Sequence, residues 1–340
     1  MDNSTSWQPK GDDFRMAKER IKSFVQITPL LRAEPLDRAG HHVFVKTENL
    51  QRSGSFKVRG AFNALSALTP EQRGAGVVSH SSGNHAQAVA MAARDLGLAE
   101  RQEPYPCTIV LPENAQPWKV ERTSQLGAEI VFAGSASQDR EEKAKELAQA
   151  NKQVLIPSYN HPNIIAGQGT LGPELMDQWM GMPRRTRRMS LVAGPVSGGG
   201  LMSGVAAGLR TRGFAGPIAG IEPEAADDTR RSMESGSRES IDEPQTICDA
   251  LRVQCPGSFT FPIMQQCEVA IRTVSDEQVK NAVLLILREM KLLVEPSGAV
   301  AAAAWLAGAL DEQAASMEAK GDVLLILSGG NMDPVQLANW

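Results

Sequence analysis

Short runs of β-branched and aliphatic residues alternate along this chain with helix-length segments rich in Ala, Leu, Glu and Lys, and no other feature constrains the fold as much. Strand patterns fall at 42–46, 76–79, 107–111, 129–132, 154–156, 191–193, 218–221 and 323–327, with helical patterns at 84–96, 138–150, 202–212 and 276–290 between them. Repeated strand, crossover helix and strand predict parallel sheets with helices on their faces. In such folds ligands sit beyond the carboxyl ends of the strands, where glycine-rich turns lead into helices. The 340 residues suffice for two lobes or one large α/β unit.

Composition narrows the partners. The 35 Lys and Arg against 39 Asp and Glu give a net charge of -4, interspersed along the chain, which argues against a nucleic-acid footprint and for a small-molecule partner. The densest basic run, Arg184-Arg185-Thr186-Arg187-Arg188, reads as a solvated loop, and the polar stretch 233–244 as a surface excursion. Four cysteines without a close pair point to reduced thiols and a cytoplasmic setting. The first twenty residues are polar rather than signal-like, and the longest apolar run, 298–310, is too short to span a bilayer and reads as a buried alanine-rich helix. No membrane association is expected.

Three strand-to-helix junctions and one lysine carry chemistry. Ser197-Gly198-Gly199-Gly200-Leu201 can bring several backbone N–H groups together at a helix start, where a phosphate fits; a tight packing turn is the other reading. No Gly-Lys-Ser/Thr ending and no GxGxxG spacing is present, so neither nucleotide fingerprint applies. In Ser53-Gly54-Ser55-Phe56-Lys57-Val58-Arg59-Gly60 a lysine stands beside an aromatic ring just before a helical run; it is either solvated or buried and able to form an imine. Ser81-Ser82-Gly83-Asn84-His85 surrounds a helix start with hydroxyls, an amide and an imidazole, which serve equally as caps or as ligand contacts. The third junction is Ser328-Gly329-Gly330-Asn331.

Taken in order, and with Ile165-Ala166-Gly167-Gln168-Gly169-Thr170 and Glu295-Pro296-Ser297-Gly298 between them, these motifs resemble the fold type II pyridoxal-phosphate enzymes, most closely the serine/threonine dehydratase and serine racemase branch. The likeness runs from Ile27-Thr28-Pro29-Leu30 to Asn331-Met332-Asp333. It implies an α/β structure, tryptophan synthase β-like, of two lobes, each a mostly parallel twisted sheet flanked by helices. Residues 1–69 and 161–340 would form the large cofactor-binding domain and 70–160 a small mobile one. A homodimer is implied as well, and no regulatory domain is expected beyond Trp340.

The resemblance also assigns roles. Lys57 would carry pyridoxal 5′-phosphate as an imine and, once freed by the substrate amine, remove the Cα proton. Phe56 would pack beside the ring, Asn84 donate to the ring hydroxyl, and the N–H groups of Ser197, Gly198, Gly199, Gly200 and Leu201 hold the phosphate. Ser328 would face the pyridine nitrogen; a neutral hydroxyl leaves that nitrogen unprotonated and favours loss of a β-hydroxyl over a long-lived carbanion. The substrate carboxylate would sit on Ser81, Ser82, Gly83, Asn84 and His85, although His85 also reads as an ordinary packed residue. Water would leave from Cβ, giving an oxo acid and ammonia.

Ser82, on the face opposite the lysine, would allow racemisation, so a serine racemase is the alternative activity; a β-replacement synthase and a non-catalytic metabolite sensor rank lower. Glu222, the Ala226 carbonyl and Asp228 match the positions of a divalent-cation site suited to Mg²⁺, Mn²⁺ or Ca²⁺, against a solvated acidic loop. Arg140 would reach a second substrate carboxylate, which makes 3-hydroxyaspartate a candidate beside serine and threonine, against an exposed salt bridge. Two positions depart from the pattern. Ser197 stands where a fourth glycine is frequent and adds a hydroxyl toward the phosphate, and Ala250 stands where glycine is usual, which leaves side-chain specificity open. The segment Met290-Lys291-Leu292-Leu293-Val294-Glu295 resembles one that meets a nucleotide in racemases, a sharing too broad to imply ATP.

Overall fold

A computed structural model describes residues 7–81, 83–134, 137–182, 188–315 and 320–340. Ser82 and residues 183–187 of the basic run lie outside these.

Ten strands build two sheets among the described residues: β1 Leu30–Arg32, β2 His42–Thr47, β3 Val77–His80, β4 Cys107–Leu111, β5 Glu129–Phe132, β6 Val154–Leu155, β7 Met189–Pro195, β8 Ile218–Pro223, β9 Val269–Val274 and β10 Asp322–Leu327. The larger sheet has the order β1-β2-β10-β7-β8-β9, and the smaller β5-β4-β3-β6. Only β1 runs antiparallel to its neighbour; every other pairing is parallel. The larger sheet thus takes strands from both ends of the chain, and the smaller one from a single continuous stretch.

The hydrophobic pattern explains this layering. Strands β7, β8 and β10 are buried along their whole length, as parallel strands covered on both faces must be. Along β10, Val323, Leu325 and Leu327 join one core with the alanine-rich helix Pro296–Leu306, while Leu324 and Ile326 join the opposite core with Val192, Val196 and Met202. Period-two alternation sends successive side chains to opposite faces, so one strand supplies both cores. A third core packs the helices Lys57–Ser66 and Asn84–Arg101 against the smaller sheet. The alanine run is a helix because Ala has the best helix propensity and lets neighbours approach closely, with Pro296 at its first turn.

One buried polar cluster braces the start of the helix Lys57–Ser66. Arg59, 1% exposed, donates to Glu48 at 2.8 and 2.9 Å and to Glu174 at 2.9 Å through two nitrogens. Lys46, fully buried, donates to Glu174, to Gln178 and to the Thr28 carbonyl, each at 2.6 Å. Two cations thus meet two carboxylates with their hydrogen bonds satisfied, the condition under which buried charge is tolerated.

Candidate active site

The motif-bearing segments converge where the strands of the two sheets end. Ser55 and Gly329 form an antiparallel bridge, the Phe56 N–H donates to the Ser328 carbonyl at 3.0 Å, and the Gly330 N–H to the Gly54 carbonyl at 2.8 Å. Gly54 needs its lack of a side chain: its φ is +75° and a Cβ there would stand 2.3 Å from the Asn331 side chain. Lys57 therefore begins its helix directly beside the end of β10, where Ser328 lies, 4% exposed.

The Lys57 ammonium donates to the Ser158 carbonyl at 2.9 Å and lies 5.3 Å from the Phe56 ring centre. Protein surrounds the amine on most sides, and the resulting loss of hydration lowers its pKa to about 8, with Glu295 acting in the opposite direction. Glu295, 3% exposed, accepts from Asn84 Nδ2 at 2.6 Å, and Asn84 Oδ1 in turn accepts from Asn331 Nδ2 at 2.7 Å. Burial raises the Glu295 carboxyl to about 8; Asp249 adds to the rise and the Asn84 bond opposes it.

His85 is fully packed. Its Nε2 lies 3.2 Å from the Ile156 carbonyl, which also accepts from the Ser79 hydroxyl at 2.7 Å. Desolvation, and then the nearby Lys57, hold its pKa down to about 3, so the ring is neutral, and the short contact makes Nε2 the protonated nitrogen. Here the packed-residue reading describes the geometry. Ser81 and Gly83 are partly exposed at the start of the helix Asn84–Arg101.

Beyond β7 the glycine loop forms a cradle closed by an aromatic wall. A Cβ on Gly198 would meet the Tyr159 ring at 2.3 Å, a Cβ on Gly200 would meet Tyr159 at 2.7 Å, and Gly199 has φ +87°. Gly200 and Leu201 open the helix Gly200–Thr211, whose first N–H groups have no intrahelical acceptor, while the Ser197 Oγ is buried without a hydrogen-bond partner. A phosphate dianion answers both needs. The same loop is held from outside: the Thr260 hydroxyl donates to the Gly198 carbonyl at 2.6 Å, and Asn160 bonds Ser258 and the Phe259 N–H. A lysine amine of lowered pKa, a phosphate-shaped cradle and a hydroxyl at a strand end can together hold an aldehyde cofactor.

The pyridoxal-phosphate dependent enzyme family matches residues 21–329. The chain belongs to that family. Among its relatives, L-threo-3-hydroxyaspartate ammonia-lyase of a Pseudomonas species is 41% identical over 323 residues, 94% of this chain and 95% of the relative. Serine racemase of Schizosaccharomyces pombe is 38% identical, with 98% and 97% covered. The structure of maize serine racemase superposes with a TM-score of 0.90 at 34% identity, covering 98% of this chain and 97% of that one. This chain is therefore a fold type II pyridoxal-phosphate enzyme of the serine/threonine dehydratase and serine racemase branch.

The acidic pair is nearby. Glu222, at the end of β8 and fully buried, accepts the N–H groups of Thr229 and Arg230 at 3.1 and 2.9 Å. Asp228, 1% exposed, begins the helix Asp228–Ser235, and neither of its carboxylate oxygens has a hydrogen-bond partner. Ala226 lies in the turn between them. Burial raises the Asp228 carboxyl to about 7 and the Glu222 carboxyl well above its usual range, the latter reinforced by Asp228. Two buried carboxylates, one with no donor, suit an oxygen-ligated divalent cation. Among the described residues no cluster of three or more His, Cys, Asp or Glu side chains suits a metal, so such a cation would need carbonyl or water oxygens as well.

Arg140 is half-buried on the helix Ser137–Ala150, its guanidinium pKa lowered by burial and supported by Glu243 and Asp139. Ala250 is pinned by its N–H to the Ser297 hydroxyl at 3.1 Å. The sequence motifs by themselves give no role to Glu295, Asn331, Ser158 or Tyr159. Glu295 and Asn331 sat inside quoted motifs; Ser158 acts through a backbone carbonyl, which its side chain does not advertise.

Proposed function

We propose that this enzyme is an ammonia-lyase that dehydrates a β-hydroxy-α-amino acid, with 3-hydroxyaspartate favoured over serine and threonine. The observation that carries the reading is the desolvated Lys57 amine, with a pKa lowered to about 8, at the end of β10 and held on the Ser158 carbonyl. An amine so tuned is partly unprotonated near neutral pH and can take up a Cα proton at Nζ. Bound pyridoxal phosphate supplies the electron sink that makes that proton acidic. Ser197 to Leu201 hold the phosphate, Phe56 packs on the ring, Asn84 donates to the ring hydroxyl and Ser328 meets the ring nitrogen. Ser81, Ser82, Gly83, Asn84 and His85 flank the substrate carboxylate, with His85 acting through packing.

Two relatives of about 40% identity, from Pseudomonas and Saccharomyces cerevisiae, bear the name L-threo-3-hydroxyaspartate ammonia-lyase, and the half-buried Arg140 carries a guanidinium fork of the kind that matches a second substrate carboxylate. The likeness to serine racemases keeps racemisation as the second reading, with Ser82 as the opposite-face hydroxyl. Glu222, the Ala226 carbonyl and Asp228 bind Mg²⁺, Mn²⁺ or Ca²⁺, and the unpartnered Asp228 oxygens support this. Residues 70–160 move as a small lobe against 1–69 and 161–340. A cytoplasmic homodimer fits four free cysteines and the absence, among the described residues, of any helix long and apolar enough to cross a membrane.

Purified yellow protein is incubated with the L- and D-isomers of serine, threonine and 3-hydroxyaspartate, scoring oxo acid, ammonia and inverted product. Oxo acid from 3-hydroxyaspartate, lost with the visible absorbance in Lys57→Ala and reduced far more for the diacid than for serine in Arg140→Ala, is the expected result. Turnover retained in Lys57→Ala refutes the assignment, and inverted product without oxo acid moves the enzyme to the racemase reading.

A further inference from the structure

Strands β7 and β8 are parallel neighbours, with Pro195 opposite Ile221 and the Val196 N–H donating to the Ile221 carbonyl at 2.8 Å. They therefore deliver the glycine loop and Glu222 side by side. Thr229, fully buried, spans the gap: its N–H donates to Glu222 Oε1 at 3.1 Å and its hydroxyl to the Ser197 carbonyl at 3.4 Å. Ser197 is the residue that opens the cradle, and its own hydroxyl is the buried oxygen left without a partner. On the far side the cradle is already fixed by Thr260 and by the Gly257 N–H, both donating to the Gly198 carbonyl. Thr229 is the side-chain grip on the near side.

We infer that Thr229 is a positioning residue that couples a divalent cation at Glu222 and Asp228 to the phosphate cradle by fixing Ser197. The inference rests on the cation and cofactor assignments above. Without a cation, two buried carboxyls meet at the first turn of the helix Asp228–Ser235, where burial and mutual repulsion oppose ionisation of both at once. A dication between them removes that repulsion and fixes the turn, which sets the Thr229 hydroxyl against Ser197 before phosphate arrives. Ordering completed in advance is ordering the second ligand need not supply, and that is positive coupling. The Asp228 carboxylate already acts on Tyr159, the aromatic wall of the cradle, whose phenol is raised to about 12 by burial first and by Asp228 next.

The test measures binding, not turnover. Full-length apoprotein in phosphate-free buffer is titrated with pyridoxal phosphate, followed by visible absorbance, in saturating CaCl₂ or in EDTA; calorimetry gives Ca²⁺ affinity with and without the cofactor. In the wild type, Ca²⁺ should tighten cofactor binding about fivefold or more, and the cofactor should tighten Ca²⁺ by the same factor, as linkage requires. In Thr229→Val the backbone N–H to Glu222 remains although the hydroxyl beside that carboxyl is lost, so calorimetry first checks that Ca²⁺ still binds; cofactor affinity should then no longer respond to it, and Thr229→Ser restores both the hydroxyl and the response. If the valine variant does not fold, Thr229→Cys, a weak donor of similar size, replaces it with the same expected loss. A full Ca²⁺ effect surviving in the valine or cysteine variant means that direct attraction between cation and phosphate carries the coupling, and the inference is wrong. Ca²⁺ binding without any change in wild-type cofactor affinity overturns the coupling while leaving the cation site standing. If calorimetry detects no Ca²⁺ binding, the cation assignment falls and the coupling falls with it.

Discussion

Two groups of buried carboxylates lie in this molecule, and they are built on opposite principles. Around Arg59, Glu48 and Glu174 are matched by two cations and by hydrogen bonds. At the end of β8, Glu222 meets the Thr229 and Arg230 N–H groups and the Thr229 side chain but no cationic side chain among the described residues, and the Asp228 oxygens have no hydrogen-bond partner. The first group is complete within the chain and fixes the turn that carries Lys57. The second is incomplete, and an unsatisfied buried polar group is the feature on which the cation proposal rests. The balanced cluster braces the fold, while the unbalanced pair leaves two carboxylate oxygens of Asp228 unpartnered.

The sharpest way to break this contrast is Arg59→Met. It leaves Glu48 and Glu174 facing Lys46 alone, and removal of one partner of a buried ionic cluster costs about 3–5 kcal/mol. Urea unfolding should show that loss, and adding Glu48→Gln should recover part of it; a midpoint unchanged by Arg59→Met would mean the cluster is not the brace described. The opposite sign is expected at the other group. In EDTA, Asp228→Asn should stabilise the protein by about 1–2 kcal/mol, since it removes a buried unpaired charge, and should abolish any rise in melting temperature on adding Ca²⁺. Destabilisation in EDTA would show that Asp228 is satisfied after all.

Glu295 lies between the two extremes, buried with the Asn84 side-chain amide and the Asn331 backbone N–H as donors. Its folded-state pKa of about 8 stands above the ordinary carboxyl value of 4.5, so the stability it contributes is fully present below the latter and is lost as pH rises through the former. Cofactor-free protein should lose denaturant resistance between about pH 5 and about pH 8, and Glu295→Gln should flatten that slope. An identical slope in the variant would assign the pH dependence to another group.

Much of the fold was legible because its signal is periodic. The strands read at 107–111 and 129–132 coincide with β4 and β5, and the others differ from the reading by one or two residues at an end. Strand β1 is three residues long and too short to show alternation, whereas β9, with Val269, Ile271 and Thr273 in alternate positions, carried a pattern that the reading passed over. The helical pattern at 276–290 divides into an α-helix to Leu285 and a π-helical turn from Ile286 to Met290, which ends at Lys291 with φ +60°. A π segment of five residues is about one i→i+5 turn, too short to show a side-chain period of its own, so sequence does not separate the two. At the site, residue types showed where Lys57, the glycine loop and the acidic pair are. The links between them, from Lys57 to the Ser158 carbonyl and from the Thr229 hydroxyl to the Ser197 carbonyl, each end on a backbone oxygen that every residue possesses.

The central position of β10 has a consequence for biosynthesis. It lies between β2 and β7 and pairs with both, yet among the described strands it comes last in chain order and so leaves the ribosome after them. Until then β2 and β7 each present an unpaired apolar edge, while the sheet made from 77–155 already has all its strands. Nascent chains therefore pass through a half-assembled stage with sticky edges, in which contacts distant in sequence close last. Truncation before β10, at residue 321, should yield insoluble chains rather than a smaller working enzyme.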